Sequence, residues 1–177
     1  LLCEDVEQEQ LFRPILERLF RRVRVEPRRR NGGFTFVLAR LADVARYLRQ
    51  RPGEAVGLLV VIDADVAGFQ QRQEEVKEAL HEAGLDVKSM DRVAVCIPSR
   101  NVETWALWLW GARDLDEHTD FKNRFHREVK QGLRPRQLVD AWFARLSETQ
   151  GEEEATILPA LAHGREEIKR LQRFSKP

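Results

Sequence analysis

The sequence predicts an α/β fold built on a mainly parallel sheet, and three observations carry that prediction. Short apolar runs alternate with stretches of helical period over residues 1–111. The run from Ala55 to Ile62 carries no charge, as a strand buried on both faces requires. Acidic residues follow the apolar runs closely, where a parallel sheet opens into a crevice.

Each element can be read in order. Leu1 to Cys3 reads as the end of a strand. Leu11, Phe12, Ile15, Leu16, Leu19 and Phe20 recur at helical spacing and predict a helix over Glu7 to Arg21. Val23 and Val25 alternate with charges and predict a short second strand. Arg28 to Gly33 is a loop, with Asn31-Gly32-Gly33 as its turn signal. A second helical stripe runs from Phe34 to Leu48 and is stopped by Pro52-Gly53. The third strand is Val56 to Ile62, followed by a helix over Gly68 to Ala83 that Gly84 ends. The fourth strand is Val93 to Ile97, closed by Pro98, and a tryptophan-rich helix leads to Gly111.

Strands alternating with helices imply a four-stranded, mainly parallel sheet flanked by helices. Residues 1–111 form this α/β domain, and 112–177 are a helical extension packed on it. Leu138, Val139, Trp142, Phe143 and Leu146 mark one of its helices, and Leu158, Leu161, Ile168 and Leu171 mark one or two more. Gly151-Glu152-Glu153-Glu154 reads as a linker.

Composition narrows the class. At 177 residues, with 42% apolar and 33% charged residues, the chain is long enough for a core and too apolar for disorder. No apolar stretch approaches the roughly 20 residues a bilayer span needs. The chain starts without methionine, so a few native residues are expected to be missing. No charged-then-apolar leader is seen, and a cytoplasmic location is expected. Cys3 and Cys96, far apart and each in an apolar run, suit reduced core thiols. A net charge of +1 gives no global attraction to nucleic acid, yet Arg21, Arg22, Arg24, Arg28, Arg29 and Arg30 crowd together.

Parallel strands put their carboxyl ends on one edge. Glu4, Asp63, Asp65 and Glu103 are thereby predicted to converge. Asp63-x-Asp65 admits three chemistries. An N-cap accounts for one aspartate better than for two. A divalent cation with oxygen ligands offsets the repulsion of both. A haloacid-dehalogenase-type phosphatase would use Asp63 as nucleophile and Asp65 as general acid. Against that last reading, the motif follows the third strand and Ala67 stands where threonine is expected. The metal pair is preferred. Glu7 and Glu9 suit a helix N-terminus, whereas Glu4 sits directly at a strand end. Glu103 reads either as part of a helix start capped by Asn101 or Ser99, or as a fourth acid of the edge. The Arg28-Arg29-Arg30 loop reads either as a solvated loop or as a phosphate contact beside the acids. Trp105, Trp108 and Trp110 are read as core in preference to base-stacking platforms, and the histidines show no metal spacing.

Leu2-Cys3-Glu4-Asp5, Val61-Ile62-Asp63-Ala64-Asp65 and Ile97-Pro98-Ser99-Arg100-Asn101-Val102-Glu103-Thr104-Trp105 together resemble the small stand-alone Toprim-like proteins. These are related to the Toprim domains of topoisomerases, primases and overcoming-lysogenisation-defect nucleases. The resemblance implies a Toprim/Rossmann-like fold and a Mg²⁺- or Mn²⁺-dependent nuclease, with a role in phage defence or DNA repair. It implies Glu4 as the acid–base residue and Asp63 and Asp65 as metal ligands, with Glu103 joining them. Asp5 replaces the glycine that usually follows the glutamate, and Gln8 stands where nuclease-type members often carry a second acid. Glu7 or Glu9 would then substitute. Arg28, Arg29, Arg30 and Arg100 would contact the nucleic acid, DNA in preference to RNA. The alternative implied is a non-catalytic nucleic-acid-binding or regulatory subunit. No Walker sequence is present, so motor function would come from an ATPase partner.

Overall fold

The structure is a computed structural model that describes residues 1–26, 33–51, 53–84, 89–130, 132, 135–144 and 156–174. Three strands form its sheet: β1 (Leu2–Cys3), β2 (Leu58–Val61) and β3 (Val93–Cys96). They lie in the order β1-β2-β3 and all run parallel. Leu2 pairs with Val60 and Cys3 with Val61, while Leu58 to Val61 pair with Val93 to Cys96. The helices are α1 (Val6–Leu19), α2 (Gly33–Arg49), α3 (Phe69–Glu82), α4 (Val102–Trp110), α5 (Lys122–Phe125), α6 (Pro135–Ala144) and α7 (Pro159–Phe174).

The alternation of strand side chains divides the core into two layers. Leu2, Leu58, Val60, Ile62, Val93 and Ile97 join Val37, Leu41 and Leu48 of α2 and Val76 and Leu80 of α3. Cys3, Leu59, Val61, Ala94 and Cys96 join the other face, with Phe12 and Ile15 of α1, Trp105 and Trp108 of α4, Trp142 of α6 and Ile168 of α7. Both cysteines are buried free thiols. Helices thus cover both faces, which is why the strands read as continuous apolar runs rather than as alternating ones.

The C-terminal helices share that second layer. α7 packs on β3, and α6 packs on α1 and α4. Gly164 permits the approach of α7, because a Cβ there would meet the Trp105 ring at 2.7 Å and Cys96 Sγ at 3.3 Å. β3 is an edge strand, and α7 covers it with side chains. Val95 N donates to Glu167 Oε2 at 3.0 Å, and Arg170 Nη2 donates to the Val93 carbonyl.

One element differs from expectation. The segment at Val23 and Val25 is not a strand, so the described sheet has three strands rather than four. The chain is nonetheless beside β1: Leu1 N donates to the Arg24 carbonyl at 2.7 Å, and Glu26 N donates to the Leu1 carbonyl at 2.8 Å. Alternation with charges signals an extended backbone, but a strand needs a ladder, and here a single residue makes the exchange. Both valines instead pack, half-buried, against the layer containing α1. The arginine-loop residues 28–32, together with Leu146 and the linker residues 151–154, lie outside the described residues. No described helix is long and apolar enough to cross a membrane.

Candidate functional site: an acidic edge at the carboxyl ends of the strands

The backbone pairing of β2 and β3 continues past the strands themselves. Ile62 N donates to the Cys96 carbonyl at 3.1 Å and Ala64 N to the Pro98 carbonyl at 2.8 Å. Asp63, between them, directs its N–H to the opposite side, towards β1. That strand has ended, and Glu4 Oε1 accepts the hydrogen bond at 2.7 Å. A side-chain carboxylate thus does the work of a strand carbonyl and ties Glu4 to Asp63.

The start of α1 holds Glu4 in place. Asp5 is the N-cap and accepts from Gln8 N at 2.9 Å, while Gln8 Oε1 accepts from Glu4 N at 2.9 Å. This is a capping box displaced by one residue, with both orphan donors satisfied reciprocally. Glu103 arrives on the first turn of α4, whose N-cap Asn101 accepts from Thr104 N at 3.3 Å. Asp65 lies in the turn that follows β2, with φ at 51°, a left-handed conformation that aspartate tolerates better than most residues. Gly33, at the head of α2, borders the same edge, since a Cβ on it would lie 4.0 Å from Glu4 Oε2.

The electrostatics follow from this packing. Asp63 is 5% exposed, and its Oδ1 is buried without a hydrogen-bond partner. Burial, then the charges of Glu4, Asp5 and Glu103, hold its carboxyl well above the usual aspartate range. The Gln8 carboxamide opposes that shift, yet Gln8 Nε2 is itself buried with no hydrogen bond. Burial also raises Glu4, against the Asp63 N–H bond, and Asp65 and Asp5 raise it further while Arg72 lowers it. Glu103, 4% exposed, is raised by burial; Lys122 opposes this, and Asp5 and Glu7 add to it.

Glu4, Asp63, Asp65, Glu103 and Glu7 therefore act on one another across one edge. Arg100 sits half-buried in the bend before α4. Arg28, Arg29 and Arg30 lie outside the described residues. Trp105 and Trp108 are core at 1% exposure, whereas Trp110 is 41% exposed.

Two polar residues of the edge escape a reading of the sequence, and a third is legible only in part. Arg72 is buried on α3 and donates from Nε to the Asp63 carbonyl at 3.2 Å. In Gln70-Gln71-Arg72-Gln73 it looks like any solvated helix position. Lys122 begins α5, and its strongest partners are Glu103, Asp63 and Asp65. Only the fold brings that helix to the acids. Gln8 was legible in part, since Asp5-x-x-Gln8 has the spacing of a capping box.

The donor set suits a hard divalent cation: carboxylate oxygens, mutual repulsion, and one buried oxygen with nothing to accept. As the side chains stand, no group of three Asp, Glu, His or Cys residues among those described is spaced to hold an ion. Glu4 Oε1 is turned to the Asp63 N–H instead. No family model matches the chain, and no curated protein or solved structure matches it either. Fold and site together define an α/β protein with a partly buried acidic edge, in which Asp63 and Glu103 are buried, Glu4 and Glu7 half-buried and Asp65 exposed.

Proposed function

We propose that this edge binds Mg²⁺ or Mn²⁺ and hydrolyses phosphodiester bonds of nucleic acid, DNA in preference to RNA, as a Toprim-type nuclease in phage defence or DNA repair. The observation that supports this best is Asp63, a buried carboxyl with an unpartnered oxygen that feels the charges of a half-buried acid, Glu4, and a buried one, Glu103. Fold stability alone disfavours such a group, and active sites are where carboxyl pKa values are commonly displaced by burial and like charge. The bound cation would activate water and neutralise charge on the phosphate oxygens.

The chain's own residues have distinct tasks in this reading. Asp63, Asp65 and Glu103 supply oxygens for the ion, with Glu7 on the neighbouring turn. Glu4 holds or releases a proton beside them, a role for which burial, by raising its pKa above the ordinary glutamate range, prepares it. Arg28, Arg29, Arg30 and Arg100 hold the nucleic-acid backbone. Incubation with supercoiled plasmid and Mn²⁺ is the test. Nicking is expected from the wild type and its loss from Glu4→Gln; equal, metal-independent nicking by both would sink the proposal.

One observation favours a second reading. With Glu4 Oε1 bonded to the Asp63 amide, the acids can serve as a structural clasp in a regulatory nucleic-acid-binding subunit that works with an ATPase partner. Calorimetry separates the two, because a clasp gives no heat of binding with Mg²⁺ or Mn²⁺. A haloacid-dehalogenase-type phosphatase is the weaker alternative, since its nucleophile would be the buried Asp63. It predicts trapping of Asp63 by fluoroberyllate.

A further inference from the structure

Resting on the reading of this edge as a phosphodiester site, the geometry points to Arg72 as the residue that takes a phosphate oxygen there. The residue is only 3% exposed, and three contacts fix its side chain. Nε donates to the Asp63 carbonyl at 3.2 Å, and Nη1 donates to Glu75 Oε2 at 2.6 Å. The guanidinium lies 3.9 Å over the ring of Phe34, in the first turn of α2.

The remaining terminal nitrogen is the informative one. Nη2 makes no hydrogen bond with any described residue, and it is not among the polar atoms sealed from solvent. A purely structural role accounts for Nε and Nη1 and leaves Nη2 without a purpose. A guanidinium already held in plane loses little entropy when it takes up an anionic oxygen, and its fork suits phosphate. The position fits as well. The Arg72 charge is felt at Glu4, and the carbonyl it grips belongs to Asp63 itself. Free anions are repelled by the acids, so the ligand class is a phosphodiester arriving with a divalent cation.

The test follows binding of a fluorescent single-stranded oligonucleotide across a salt series, with Ca²⁺ present. Loss of one phosphate contact lowers the slope of log affinity against log salt by about 0.7 for a single strand. Arg72→Met is expected to show that drop and weaker binding, while Glu75→Gln keeps the wild-type slope. Arg72→Lys keeps the charge and the slope but loses the fork, so affinity is expected to fall several-fold. A folded Arg72→Met with wild-type slope and affinity overturns the assignment. Where Arg72→Met does not fold, Arg72→Lys decides, and unchanged affinity overturns it. Arg72-dependent binding without plasmid nicking would end the nuclease reading and leave Arg72 as a phosphate contact. Nicking by wild type together with an unaltered Arg72→Met slope would do the reverse. No oligonucleotide binding by the wild type overturns the Arg72 assignment, and nicking is then read separately.

Discussion

Asp63 carries opposing demands of stability and chemistry in one side chain. Its charge is disfavoured by burial and by Glu4, Asp5 and Glu103, so a neutral isostere should relieve the fold. Asp63→Asn is expected to raise stability by about 1 kcal/mol at pH 8 in chelator, the usual scale for relieving a functional site. The same variant is expected to lose its heat of Mn²⁺ binding. A lower urea midpoint than wild type would show that the charge contributes to the fold instead. Glu117 is a buried acid of another kind. It accepts from Ser99 Oγ at 2.8 Å and from Ala160 N at 2.9 Å, at the start of α7. Glu117→Ala leaves those donors buried and is expected to cost about 3 kcal/mol. Glu117→Gln, which still offers the amides an oxygen, is expected to cost well under half of that in the same denaturation assay.

At the scale of elements, the pairing of α7 with β3 carries the clearest consequence. An edge strand presents unpaired amides and carbonyls that invite another chain. Glu167 and Arg170 occupy those groups at Val95 and Val93. Replacing both by alanine is expected to destabilise by about 2 kcal/mol, near 1 for each hydrogen bond. It should also promote concentration-dependent association, visible as growth in light scattering. Unchanged scattering at high concentration would mean that the bulk of α7, rather than its side chains, protects the edge. The same packing explains what was legible here. The stripe Leu158, Leu161, Ile168 and Leu171 predicts a helix from local period alone. That the helix meets β3 depends on Gly164, whose role shows only once Trp105 and Cys96 are beside it.

For the whole molecule, the buried and half-buried acids set the dependence of stability on pH. Glu4, Asp5, Asp63, Glu103 and Glu117 all have pKa values raised in the fold, first by burial. A raised carboxyl means the folded state keeps protons that the unfolded chain has released. Their contribution is therefore fully present below the unfolded carboxyl range, near pH 4, and is lost as pH rises through the raised values. Asp114, Asp116 and Glu128 are lowered and act in the opposite sense, in the acid window below that range. In chelator, the urea midpoint is expected to be higher at pH 5 than at pH 8. Millimolar Mn²⁺ should recover stability at pH 8 as any ligand specific to the folded state does. A midpoint that rises with pH in chelator would contradict the burial of these acids.

Local pattern determined the order of helices and strands apart from the strand expected at Val23 and Val25, and it placed Glu4 and Asp63 directly after apolar runs, because hydrophobic period and helix caps act over a few residues. It also indicated Asp65 and Glu103 as members of the same edge, since parallel topology sends every carboxyl end one way. Alternation at Val23 and Val25 conveyed extension without pairing, because pairing needs a partner strand that lies elsewhere in the chain. Tertiary structure alone decided that Glu4 would bond the Asp63 amide, that Arg72 would be buried against the Asp63 carbonyl, and that Lys122 would face the acids. Those are contacts between residues distant in sequence or hidden in a polar helix face. Their energies depend on burial and direction, which no local pattern encodes.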